Sequence, residues 1–167
     1  MNTTQAQAIL SQHYQMRQFS CFQSATEMAL KLDNIILPNA FPFQNQAQYD
    51  LQGFTLFNRP HTLNNRQVTF QLPSYAPPFH SLCIDLAAEL SAGRFPVLSL
   101  LGGYSNGTKF LHGYVAIEQT QNDFIVISRY SPDAQGRYPF PGKYAPIVDQ
   151  LSSFLHGCPN VDCLFYA

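Results

Sequence analysis

Charge is scarce in this chain. Asp, Glu, Lys and Arg make up 11% of its 167 residues, against about 25% in an ordinary soluble domain, and Gln and Asn supply polar surface instead. The nine basic side chains are scattered and the formal net charge is -1. The clustered positive surface that grips phosphates is therefore missing, and nucleic acid is not an expected partner. No run of about 18 apolar residues occurs, which leaves no candidate for a membrane-spanning helix. The opening "MNTTQAQAILSQ" has neither a basic stretch nor an apolar core of signal-peptide length. The expected location is the cytoplasm, or outside the cell by way of a dedicated secretion machine. Tryptophan is absent, so Phe and Tyr carry the 14% aromatic content. Cysteine is sparse: thiols at 21, 83, 158 and 163 do not make a disulfide scaffold, and mostly free thiols are expected. The segment "HGCPNVDC" leaves open a short-loop disulfide between Cys158 and Cys163, or their joining His156 on a metal, although a structural zinc site wants four ligands. No cofactor is expected.

What is present begins with size. A chain of 167 residues reads as one domain, 1–167, with one sizeable core. Phe22, Ala25, Met28, Ala29 and Leu32 recur at helical spacing and predict a helix ending near Asp33 or Asn34. Residues 38–80, rich in proline and aromatics, predict irregular connections, a short helix and one or two strands. A second helix is expected over "SLCIDLAAELSAGR", stopped by Gly93. Three strands follow in "FPVLSLL", "LHGYVAIE" and "FIVIS", joined by the glycine-rich "GGYSNGTKF" and by "QTQND", which predicts an antiparallel meander. The tail predicts a short helix around "IVDQLSSFLHG" and a closing strand in "CLFYA". Helices first and a sheet later give an α+β fold of two layers.

Cys21 stands where the first of these helices begins, and a thiol facing the N–H groups of a helix start is easier to ionise. Core packing is the commoner use of a free cysteine, so position alone leaves both readings open. A nucleophilic thiol needs a base. His13 lies in a polar N-terminal stretch, His61 and His80 in loops beside prolines, and His156 near the end of a short helix. His112 alone opens an alternating strand directly after a glycine-rich loop, exposed enough to meet substrate and held by a ladder. The chemistry also needs donors aimed at a developing oxyanion. Gln15, six residues before Cys21, can fold back so that its amide and the Cys21 N–H converge.

The stretch "QMRQFSCFQSATEMALKL" resembles the active-cysteine segment of papain-like cysteine peptidases, and its "SATEMAL" is similar to the bacterial, bacteriocin-processing branch of that superfamily. Further on, "ELSAGRFPVLSLLGG" and "FLHGYVAIEQTQNDFIVIS" are similar to the family's helix and proline-initiated strand and to its histidine-bearing strand pair. Residues 35–80 are unmatched. The resemblance implies a papain-like α+β fold, with an N-terminal helical part whose catalytic helix packs on a C-terminal antiparallel sheet. It further implies Cys21 as nucleophile, His112 as base and then acid, and Gln15 as oxyanion donor. Where the family carries an Asp or Asn that orients the histidine, this chain has Ser128 and Arg129, with Asp133 a few residues on. Phe22 replaces the glycine that often follows the cysteine.

The expected activity is hydrolysis of peptide or isopeptide bonds through a thioester, on a peptide or protein substrate. An acyltransferase or glutamine deamidase of transglutaminase type uses the same groups, and an inactive papain-like module that binds peptide is the non-enzymatic alternative. Small papain-like domains are common among exported bacterial effectors, which fits the absence of a signal peptide by analogy.

Overall fold

In this computed structural model, residues 1–45, 55–103, 109–128, 133–140 and 147–167 are described. Helix α1 (Thr3–Ile9) opens on Asn2, whose side chain accepts from Gln5 N while Gln5 answers back to Asn2 N, a reciprocal capping box. Strand β1 (His13–Gln15) leads into helix α2 (Cys21–Leu32). A 3-10 turn (Thr55–Phe57) and four short strands follow: β2 (His61–Leu63), β3 (Arg66–Val68), β4 (Phe70–Gln71) and β5 (Ser74–Tyr75). Helix α3 (His80–Ser91) then precedes the long strands β6 (Val97–Gly103), β7 (Lys109–Gln119) and β8 (Phe124–Ser128). The chain closes with β9 (Tyr138–Phe140), β10 (Ile147–Gln150), α4 (Ser152–Leu155) and β11 (Val161–Tyr166).

The expected meander is present: β6 pairs β7 and β7 pairs β8, both antiparallel. It forms the middle of a seven-stranded sheet ordered β10-β8-β7-β6-β11-β4, with β5 also on β11. Among the described residues the strand pairings of this mixed α and β fold are antiparallel. The two-layer expectation becomes three layers, because alternate residues of the central strands are apolar on both faces. Val97, Val115, Ile117 and Ile127 pack with the α2 side chains. Leu98, Leu100, Tyr114, Ala116 and Val126 pack with Leu82 and Leu86 of α3 on the other face.

Four expectations change. The helix expected around "IVDQLSSFLHG" is a strand at Ile147–Gln150, paired with β8, and a single helical turn at Ser152–Leu155. β-branched Ile147 and Val148 sit more easily on a pleated ladder than in a helix. The glycine-rich loop is shorter than read, since Gly102 and Gly103 pair with Phe110 and Lys109; its centre, 104–108, lies outside the described residues. The described part of the proline-rich region carries four short strands where one or two were expected. The N-terminal part is not purely helical, because β1 pairs β9, with His13 opposite Phe140.

Candidate active site

Cys21 is the first helical residue of α2 and is half-buried. The approach to it is a tightly bonded loop. Gln15, fully buried, sends its side-chain Nε2 to Arg17 O at 2.7 Å and Gln18 O at 3.2 Å, and Ser20 N donates to Arg17 O at 3.2 Å. The N-cap Ser20 makes no side-chain cap, because its Oγ is turned toward Arg17 O and Gln44 Oε1, at 3.0 and 2.9 Å. The Gln15 amide thus organises the turn that delivers Cys21.

His112 enters the sheet opposite Leu100. The next residue, Gly113, is where α2 comes down on the strand: a Cβ there would stand 2.9 Å from both the Cys21 carbonyl oxygen and Ala25 Cβ. One residue therefore separates the imidazole from the strand's contact with the cysteine. Strand alternation turns Gly113, Val115 and Ile117 toward α2 and His112 and Tyr114 toward the other layer.

The ring of His112 is buried and stands edge-on to Tyr114, centroids 5.2 Å apart. Its Nε2 is hydrogen-bonded to Ser128 Oγ, and Ser128 Oγ donates to Gly113 O at 3.1 Å. A hydroxyl has one hydrogen. With that hydrogen on Gly113 O, Ser128 accepts from His112, so Nε2 carries the proton and Nδ1 is the basic nitrogen of the neutral ring. Of the possible orienters that lie among the described residues, Ser128 is bonded to the histidine. Asp133 instead accepts from Arg137 Nε at 3.1 Å and from the backbone of Gln135 and Arg137. Arg129 lies outside the described residues.

Two large apolar side chains are left in solvent beside these groups: Phe19, 57% exposed, and Leu111, 62% exposed. Pleating sets Leu111 on the same face as Gly113.

Behind α2 lies a buried polar cluster that sequence reasoning missed. Glu27 accepts from Phe43 N at 2.9 Å, Gln44 N at 3.1 Å and Gln44 Nε2 at 2.6 Å. Burial pushes its carboxyl up to about 7, against those three donors and Lys31, which favour the charged form. Lys31 Nζ is 2.9 Å from His13 Nδ1 and 3.9 Å from the Phe41 ring centroid, and burial pulls its ammonium down to about 8. His13, expected in a polar stretch, is buried with Nε2 2.9 Å from Ser24 Oγ. Burial first, and then Lys31, hold it neutral, well below the ordinary histidine range. The one available signal was Ser24, Glu27 and Lys31 falling on one side of α2 at spacings of three and four.

The other histidines sit apart from this site. His61 is in β2 with Nε2 2.8 Å from Leu56 O, His80 begins α3, and His156 ends α4. None of the four cysteines is joined in a disulfide. Among the described residues no three of His, Cys, Asp and Glu group as metal ligands, and no helix is long and apolar enough to cross a membrane. Compared with protein-family models, with curated proteins and with solved structures, the chain matches none.

Proposed function

We propose that this chain is a papain-like thiol hydrolase that cleaves peptide or isopeptide bonds in a peptide or protein substrate. One observation carries the reading: a histidine whose Nε2 is tied to Ser128, leaving Nδ1 basic, directly precedes the glycine on which the Cys21 helix start rests. The Cys21 thiol gives its proton to His112 and the thiolate adds to the substrate carbonyl. The oxyanion is met by the Cys21 backbone N–H, one of the groups that the helix itself does not use. Gln15 joins it by surrendering its longer bond, the one to Gln18 O. His112 protonates the leaving amine as the C–N bond breaks, and a thioester remains. Water, deprotonated by His112, then adds to the thioester, releasing the acid and restoring the thiol. The exposed Phe19 and Leu111 favour substrates with an apolar residue beside the scissile bond.

Limiting iodoacetamide near pH 6 tests the reading. Cys21 is expected to be alkylated well before Cys83, Cys158 and Cys163, and His112→Ala to remove that advantage; equal, slow labelling of all four would leave a peptide-binding module instead. Mass spectrometry of a candidate substrate separates the chemistries, with a cut chain for hydrolysis and a gain of about one mass unit for deamidation of a glutamine amide.

A further inference from the structure

We propose that Gln44 is a positioning residue for the Cys21 nucleophile, clamping the Gln15–Ser20 loop to the second turn of α2 through the carboxyl group of Glu27. The inference rests on the thiol reading above and adds a residue remote from it in sequence. Gln44 is fully buried, and both polar atoms of its side chain are hydrogen-bonded. Oε1 accepts from Met16 N at 2.7 Å and faces Ser20 Oγ at 2.9 Å, while Nε2 donates to Tyr14 O at 3.1 Å and to Glu27 Oε1 at 2.6 Å. Its backbone joins the same cluster: N donates to Glu27 Oε2 at 3.1 Å, and O accepts from Arg17 Nη2 at 3.1 Å.

These bonds converge on the nucleophile from two directions. Ser20 immediately precedes Cys21, and Glu27 lies six residues after it on the same helix. Tyr14 and Met16 flank Gln15, the residue that shapes the loop. One amide therefore sets where the loop leaves β1, where it meets the helix, and how both sit against α2. A fold that needed only adhesion here would do as well with apolar side chains of similar shape, because a buried carboxylate costs desolvation that its bonds only partly return. Lys31 on α2, His13 on β1 and Arg17 in the loop are the other charged or titratable groups in this cluster. Arg17 meets the Gln44 backbone carbonyl, and Lys31 and His13 meet each other. Perturbed carboxyls gather at functional sites, and this one, pushed up to about 7, is used to hold the amide.

The test is the alkylation rate of Cys21 by iodoacetamide at pH 6, read peptide by peptide, with exposed Cys83 on α3 as internal reference. Gln44→Met keeps length and volume but makes none of the amide bonds. It is expected to slow Cys21 by about tenfold or more, since small misplacements of a reacting group cost one to two orders of magnitude, and to leave Cys83 unchanged. Should circular dichroism show that variant unfolded, Ser20→Ala decides: it removes the Ser20 Oγ contact with Gln44, together with that hydroxyl's two bonds to Arg17, and leaves the Gln44–Glu27 pair in place; a slowing of a few-fold is expected. The exchange Glu27→Gln with Gln44→Glu preserves a donor–acceptor pair between the two positions and is expected to be faster than either single change. A purely structural role would not move the Cys21 to Cys83 ratio in folded variants. Cys21 rates equal to wild type in folded Gln44→Met, or in Ser20→Ala where that variant is unfolded, overturn the proposal and leave the hydrolase reading standing. A wild-type Cys21 no faster than Cys83 removes both.

Discussion

The two long helices are the same length and differ in almost everything else. α2 and α3 each run twelve residues and each carries a cysteine near its start, Cys21 at the first position and Cys83 at the fourth. On α2 the eleven residues after Cys21 are buried, polar ones included, whereas on α3 only Leu82 and Leu86 are, and Ile84 stands 67% exposed. α3 is a lid for one face of the sheet, and its apolar side is enough to keep it there. α2 is held by β7 beneath and, along one side, by Gln44 bonded to its Glu27 and by His13 bonded to its Ser24 and Lys31. The lesson is about thiols. A cysteine on a surface helix moves with it and ionises as burial and nearby carboxylates dictate, and Cys83 is pushed up by partial burial and then by Asp123. A cysteine at the head of an immobilised helix can be held against a second group, and catalysis by orientation requires that.

That contrast breaks most severely at His112. With His112→Ala, Cys21 is expected to fall to the labelling rate of Cys83, and hydrolysis by roughly three orders of magnitude or more, the scale seen when a nucleophile loses its base; kinetic alkylation followed by peptide mapping is the check. Next comes Gly113→Ala, whose Cβ would stand 2.9 Å from a backbone oxygen and must lift the start of α2. A stability loss of about 1–3 kcal/mol is expected from overpacking, read by urea unfolding, with slower Cys21 labelling. Ser128→Ala removes one hydrogen-bonding partner from the imidazole, worth about 0.5–1.5 kcal/mol. That predicts a slowing of up to roughly tenfold in Cys21 alkylation, with the fold unchanged by circular dichroism.

A smaller effect separates the two buried groups beside α2, His13 and Glu27, by pH. His13 is held neutral in the fold, so the unfolded chain takes up a proton below about pH 6.5 that the folded chain does not, and stability falls as pH drops through that point. Glu27 works in the opposite sense. Its carboxyl is raised from 4.5 to about 7, so across that window the folded state holds the proton more tightly and stability declines as pH rises. His13→Asn removes the first arm alone. Its stability relative to wild type is expected to improve as pH is lowered from 7 to 5, measured by urea unfolding across that range. The smallest effect sharpens the comparison from the other side: Ile84→Asp on the open face of α3 should change stability by no more than about 0.5 kcal/mol.

The parts of the molecule that were legible in the sequence are those whose pattern is long enough to repeat. Residues 97–101, 111–118 and 124–128 carry β periodicity over five residues or more, and the expected meander is the one found. The α2 stripe and the Gly93 stop of α3, with φ at +77°, were readable for the same reason. Strands β2 to β5 span two or three residues each, too few for any period to show. Strand β10 was misread because Ile147, Val148, Leu151, Phe154 and Leu155 also fit helical spacing, and only pairing with β8 decides between the two. At the site, Cys21, His112 and Ser128 could be named from local context, since a helix start and a loop-to-strand junction are local features. Gln44 could not, because nothing near it in sequence announces that it is aimed at residues about 30 positions earlier. His13 was passed over because its neighbours are polar, and its burial comes from α2 and Phe41 rather than from its own segment.

The carbonyl of Gly113 accepts the hydroxyl that steadies the imidazole, and the Cα of the same residue is the floor on which the first turn carrying the thiol rests. Base and nucleophile are thereby geared to one peptide unit. A disturbance that tips this unit must swing both partners together, so damage to either side should register at the other, and losses measured one at a time will sum to more than the whole.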